Sequence, residues 1–338
     1  PADLVQRIWE HPESSTSDRL FVLAFRFRAE TASREEVLAD AATLIDPVAT
    51  DDPEDLALIS GWWNALGFFD ETLRHLNAER IYGERELAVN WLSARLNAEA
   101  TEGLVSFLET TGRDKLGLST AHFRLFRSLA VYAEGKAEDF RHLAYLAIQA
   151  SQPSDWPFML GVLQRRGDMD IMVEMYRHIG SHKQFVAIGQ GRLIALLYFL
   201  SREEELLETI EDLRPADLRQ TPEVAAFLGY LKLLYGQDPE QTRTDLEALL
   251  ASRRRSLDVR TILALSYFES DLAPMARQIA SRPPSPEVEI APYLRLASAI
   301  IWWGEGFPMS GEDLDSAIDS QLYLPREKQR LRALLQQR

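Results

Sequence analysis

The chain has no cysteine, which removes disulfides, thiolate metal sites and a cysteine nucleophile, and leaves the compartment undecided between cytoplasm and periplasm. Lysine is nearly as scarce: 5 of the 37 basic residues, against 32 arginines, a bias expected of a GC-rich, bacterial genome. The four asparagines, 64, 77, 90 and 97, form no N-x-S/T acceptor. No run of about 18 uninterrupted apolar residues occurs, so nothing reads as a membrane span; stretches such as IALLYFL (194–200) are short and end in charges. No basic-then-apolar leader opens the chain. It begins with Pro1 rather than Met, which reads as a processed or trimmed piece of a longer protein and leaves a signal or anchor open. β-branched runs with period-two alternation are also rare, so no sheet is expected.

What is present is acid and helix. Net charge is −15, with 52 acidic residues against 37 basic ones. A nucleic-acid binder needs a basic stripe, so this surface argues against phosphate backbones and anionic lipid. Hydrophobic residues make up 46% of 338, enough for two or three compact domains, unless the chain is a repeat array that escapes the usual size rule.

Self-similarity favours the array. An apolar helix, a short turn and a second amphipathic helix recur around Gly67, Ala98, Gly135, Gly167, Ser201, Gly236, Asp271 and Gly304, with an earlier turn near Ala32. Successive spacings of 31, 37, 32, 34, 35, 35 and 33 give a period of about 34. WWNALGFFDETL (62–73), WLSARLNAEATEGL (91–104), LAVYAEGKAEDF (129–140) and LALSYFESDLAPMA (263–276) each end one helix, break, and restart with acids. Acidic groups favour a helix start, where free N–H groups and the macrodipole are positive.

These segments resemble the tetratricopeptide repeat family over roughly residues 20–320. Leu263, Ala264, Tyr267 and Ala276 stand as that family spaces them, as do Ser60, Trp63 and Gly67. Small residues precede several turns by seven positions (Ser60, Ser128, Gly229, Ala264, Ala297); Trp91, Leu160 and Ile194 depart from that rule, and the family's closing proline is mostly missing. The resemblance implies an all-α, right-handed α-solenoid forming a single domain over 1–338. About nine antiparallel hairpins (18–50, 53–83, 85–112, 120–150, 154–180, 188–214, 222–252, 258–282, 290–320) are closed by a C-terminal capping helix at 325–338. In such a stack Trp62 and Trp63 are both buried, each against a different neighbour, and Trp302–Trp303 before Gly304 repeats the device. PREKQRLRALLQQR (325–338) has Pro in its first turn, apolar Leu331, Leu334 and Leu335 and a basic rear. The helix around Leu4, Ile8 and Trp9 covers the other end. SRPPSPEVEIAP (281–292) reads as a stiff connector that keeps the step of the ladder.

Chemistry is thin. Six histidines are scattered at 11, 75, 122, 142, 178 and 182. His178 and His182 are four apart, but no HExxH accompanies them and Gly180–Ser181 intervene, so no metal site is expected. His75 and His142 read as surface or packing residues. GQG (189–191) follows no strand and lacks a third glycine, so it is no dinucleotide loop; phosphate loops and GxSxG elbows are absent. Acid clusters such as Asp51–Asp52, Glu54–Asp55 and Glu203–Glu205 read as solvated helix starts, and Arg253–Arg255 as a dipole complement. No cofactor is expected.

In the related family, peptides lie in a groove walled by the first helices. The row three residues before each turn is Asn64, Arg95, Tyr132, Gln164, Tyr198, Leu233, Phe268 and Ile301, and Asn64, Arg95, Tyr132, Gln164, Tyr198 and Phe268 are its candidate partner-binding residues. The resulting expectation is a non-catalytic scaffold for a protein or peptide segment. A closed α/α-toroid enzyme, for instance acting on carbohydrate, and a self-assembling structural subunit are the alternatives.

Overall fold

A computed structural model describes residues 2–253, 256–280, 291–302 and 323–336. Among these residues there is no strand. The chain divides into two compact units, Pro1–Ile171 and Met172–Arg338. The first holds α1 (Ala2–Glu10), α2 (Thr16–Arg28), α3 (Arg34–Leu44), α4 (Pro53–Leu66), α5 (Phe69–His75), α6 (Arg85–Asn97), α7 (Leu104–Thr111), α8 (Thr120–Ala133), α9 (Ala137–Gln149) and α10 (Trp156–Arg166). The boundary falls inside α11 (Met169–Ser181). The second holds α12 (Val186–Phe199), α13 (Glu203–Glu211), α14 (Pro222–Tyr235), α15 (Pro239–Ser252), α16 (Leu257–Phe268), α17 (Ala273–Ile279), α18 (Pro292–Trp302) and α19 (Pro325–Gln336). No described helix is long and apolar enough to cross a membrane.

Helices start where side chains can take the free amides. Ser15, Ser33, Asp52, Ser119 and Ser256 each accept a backbone N–H from the first turn that follows. They stop where the backbone turns left-handed. After the first helices positive φ occurs at Glu30, Gly67, Glu99, Gly135, Gly167, Ser201, Gly236 and Asp271, at spacings of 37, 32, 36, 32, 34, 35 and 35; Gly83, Gly103, Gly112, Gly117 and Asp238 also take positive φ between them. At Gly67 (φ 82°) the amide bonds Asn64 O and the next amide bonds Trp63 O, the closure that absence of a Cβ makes cheap. Three of the turns use acids and one a serine, which tolerate the left-handed region less well.

Packing follows chain order. In the first unit α2 packs on α3 and α4, α4 on α5 and α6, α6 on α8, and α8 on α9. In the second, α12 packs on α13 and α14, α14 on α15 and α16, and α16 on α17 and α18. The first helices α2, α4, α12, α14 and α16 thus bury one flank on their own partner and another on the next first helix. The tryptophan pair shows how. Trp62 donates its indole N–H to Leu20 O on α2 at 2.7 Å, while Trp63 stacks on His75 at the end of α5, 5.3 Å between ring centres. Ser60, Ser128, Ala264 and Ala297 are fully buried, where two helices meet. Gly189, the first glycine of GQG, lies in α12 against α11: an added Cβ would come within 2.2 Å of Gly180 N. That glycine serves close helix contact.

The C-terminal helix α19 packs on α18 and buries Leu331, as its apolar spacing implies. It also reaches the C-terminal ends of α14 and α16, as described below. Trp303, Gly304, Arg254 and Arg255, most of the 281–292 connector, and the second half of the 290–320 hairpin lie outside the described residues, as do the side chains of Leu4, Leu334 and Leu335.

Candidate functional site

Counting back from each left-handed turn defines one stripe on every first helix, at 13, 9, 6 and 2 residues before the turn. These positions fall on one helical face. On α2 they are Ser17, Phe21, Ala24 and Arg28; on α4, Glu54, Leu58, Gly61 and Ala65. All eight line a cavity of about 1250 Å³ in the first unit. The same wall continues with Glu86 and Asn90 of α6, His122 of α8, and Ser154 and Phe158 around the start of α10. A smaller cavity of about 140 Å³ takes up the rest of the stripe, with Ser93, Asn97, Leu129, Ala133 and Arg165. The larger volume exceeds the ~300–1000 Å³ of small-molecule sites. Its floor is small (Ala24, Ala57, Gly61, Ala65) and one large aromatic, Phe21, stands 66% exposed on it.

One end of this cavity carries a buried polar cluster. Asp155 and His122 are 3% and 2% exposed. Ser119, the N-cap of α8, donates its hydroxyl to Asp155 Oδ1 at 3.0 Å and accepts the His122 backbone N–H at 3.1 Å. The Gln152 N–H donates to Asp155 Oδ2 at 3.0 Å. The Arg85 guanidinium lies 3.5 Å from Asp155 Oδ1 and 3.2 Å from His122 Nδ1. Arginine only donates, so this contact assigns Nδ1 as the acceptor and the imidazole proton to Nε2; Asp155 Oδ1 also lies 3.5 Å from Nδ1. Burial pushes the His122 pKa down, Asp155 opposes and Arg85 reinforces the shift, which keeps the ring neutral. Nε2 is itself buried and has no hydrogen-bond partner among the described residues. Ser119 and Asp155 both face Nδ1, so the trio lacks the two-sided geometry of a nucleophile relay.

The expected groove row sits elsewhere. Asn64 donates to Asn90 O at 2.8 Å and accepts from Thr72 Oγ1 at 2.9 Å. Arg95 donates to Ala100 O and Glu102 O across its own turn and lies over Trp91. Tyr132 is exposed, with the Arg166 guanidinium 3.6 Å above its ring. Gln164 is exposed, and Phe268 is half-buried against the second unit's core. Tyr198 is half-buried and donates to Glu327 Oε2 at 2.8 Å. None of the six lines either cavity. The sequence reading passed over Arg85, Asp155, Gly61 and Phe21 and left His122 without a role; the signal for them is the four-position stripe counted from the turns. His178 and His182 pack ring edge to face, 5.1 Å apart.

In the second unit the corresponding stripe is covered by the chain itself on α14 and α16, whereas its four positions on α12 (Ile188, Arg192, Ala195, Phe199) are exposed. Tyr293 of α18 packs 4.8 Å from Phe227 and donates to Asp258 Oδ2 at 2.8 Å. Glu327 of α19, fully buried, accepts from Tyr230 at 2.6 Å and from its own Leu324 N–H at 2.6 Å. Arg326 donates to Leu234 O at 3.3 Å, and Arg330 pairs with Glu269. Phe227, Tyr230, Leu234, Asp258 and Glu269 are all stripe positions.

No known protein family, curated protein or solved structure matches this chain.

Proposed function

We propose that this chain is a non-catalytic scaffold, a right-handed solenoid of tetratricopeptide-like hairpins that holds a segment of another protein against its first helices. The observation that supports this reading is the contrast between the two units. One four-position stripe recurs throughout. On α14 and α16 of the second unit the chain's own α18 and α19 lie on it; in the first unit it bounds a cavity larger than a small molecule needs, with an exposed phenylalanine on a floor of small residues. A helix laid into a groove through spaced anchors is a standard mode of peptide recognition, and α19 does the same in cis. The exposed Tyr132 and Gln164 belong to a row flanking the stripe and extend the proposed surface.

The test is panning of a peptide-display library against the full chain, followed by affinity measurements on Gly61→Leu. The new side chain fills the cavity floor, and its Cβ meets only ordinary contacts at 3.5 Å from Asn90. Peptide affinity lost in this variant, with circular dichroism unchanged, supports the groove. Undiminished affinity refutes it.

A further inference from the structure

We propose that the segment held in the first unit is the basic C-terminal end of an amphipathic α-helix; this rests on the reading of that unit as a peptide groove.

The cavity's charged groups divide by end. Glu54, Glu84 and Glu86 stand exposed where α4 and α6 begin. None of the three makes an ion pair among the described residues. Arg85, between Glu84 and Glu86 in the chain, is already held by Asp155 at 3.5 Å. Arg28 lies at the far end, on Ala65 O at 3.3 Å. The near end therefore presents three uncompensated carboxylates to a ligand. Part of their role is to complement the N-termini of their own helices, but the exposed acid remains for a partner.

A second, independent feature marks the same end. With the His122 proton assigned to Nε2 by the Arg85 contact, that buried atom has no hydrogen-bond partner among the described residues. A buried N–H without a partner costs stability, so the site calls for an acceptor. Carboxylates and an N–H donor together ask for a ligand carrying both cations and acceptors. The last turn of an α-helix has both: its final carbonyls lack partners within the helix, and lysine or arginine concentrates there because of the dipole. An acidic peptide would supply acceptors but meet three carboxylates. A basic extended peptide would use its carbonyls less densely.

The chain offers its own precedent in the second unit. α19 carries Arg326, Lys328, Arg330 and Arg332. It sits on the stripe through an arginine–carboxylate pair with Glu269 and through Arg326 on Leu234 O. A basic amphipathic helix is thus what this surface already accepts, and the first unit has the acids to receive another.

The experiment uses two fluorescein-labelled model helices of equal length and identical leucine face, one with arginine on its polar edge and last turn, the other with glutamate there. Anisotropy titrations against the full chain give their affinities. The arginine peptide binds at least about tenfold more tightly, an advantage that salt reduces. Glu54→Lys/Glu84→Lys/Glu86→Lys removes that advantage, whereas Glu138→Lys/Glu208→Lys/Glu240→Lys, equal in charge but on other exposed acids, does not. Gly61→Leu abolishes binding of the arginine peptide. Equal or tighter binding of the glutamate peptide overturns the inference, as does an arginine affinity that both triple variants lower alike, since attraction to the overall negative charge then explains it. If Gly61→Leu still abolishes binding in those cases, the groove reading stands without the inference. Failure of both peptides together with the absence of any Gly61-dependent library peptide removes both.

Discussion

Gly61 stands in the interior of α4 with no steric need to be glycine. Its φ is ordinary, and a Cβ there would meet nothing closer than Asn90 Nδ2 at 3.5 Å. Glycine inside a helix costs roughly 0.5–1 kcal/mol relative to alanine. Gly61→Ala is therefore expected to stabilise the chain by about that amount, read as a rise in the urea midpoint at unchanged slope. Gly67, six residues on, behaves oppositely. Its φ of 82° closes the hairpin in open space, so Gly67→Ala gains no contact and forces a side chain into the left-handed region, for a loss of about 1 kcal/mol. Equal effects in the two variants would mean that local backbone conformation does not distinguish the floor of the cavity from the turn that follows.

At the scale of the element, α19 is docked by a carboxylate that pairs with no cation among the described residues. Glu327 is fully buried and held by Tyr198, Tyr230 and the Leu324 amide. Burial raises its pKa above the ordinary 4.5; the three hydrogen bonds pull the other way and Glu203 adds to the rise. The sign follows from linkage. A carboxyl whose folded pKa is raised binds its proton more tightly when docked, so its contribution is full below pH about 4.5 and fades as pH climbs through the raised value. Hydrogen-exchange protection of residues 325–336, corrected for the intrinsic rate, should fall over that interval in the native chain and stay level in Glu327→Gln. A protection that grows with pH would show that the tyrosine hydrogen bonds to the ionised form outweigh burial. The position of this helix was legible from Pro325 and the leucine spacing, because those are local signals. Its seat was not: Glu327 meets residues 97 and 129 positions away, and no periodicity reports that. The turns were legible for the same local reason, to within one or two residues: Gly67 and Gly236 are left-handed where a glycine ends an apolar helix, while at Ala98 the left-handed residue is the neighbouring Glu99. The wall of the first unit's cavity was harder to read. Three residues before a turn, a side chain points toward its own hairpin, as Asn64 does to Thr72 and Arg95 to Ala100. Two and six residues before it, it points about 100° and about 60° round the helix from there, and hydrophobic pattern alone could not choose between those faces.

Across the whole molecule the acids outnumber the bases by 15. Such an excess repels itself and opposes compaction. Against it stand individual pairs, such as Arg34 with Asp70 at 2.5 Å and Glu71 at 3.2 Å, which tie α3 to α5. Most of these pairs are at least partly exposed, and exposed pairs contribute little, about 0–1 kcal/mol each. Added salt screens both effects, and the direction of its action shows which is larger. Raising sodium chloride from about 0.01 M to about 0.15 M shortens the screening length from ~30 Å to ~8 Å, which relieves repulsion spread over the surface more than it weakens contacts of 3 Å. The melting temperature by calorimetry should therefore rise over this range. The same series on Glu54→Lys/Glu84→Lys/Glu86→Lys should show a smaller rise, because six units of charge have been removed from the excess and the remaining repulsion is weaker. A melting temperature that falls with salt in the native chain would mean that the ion pairs between helices, rather than the apolar stripes, hold the hairpins against one another.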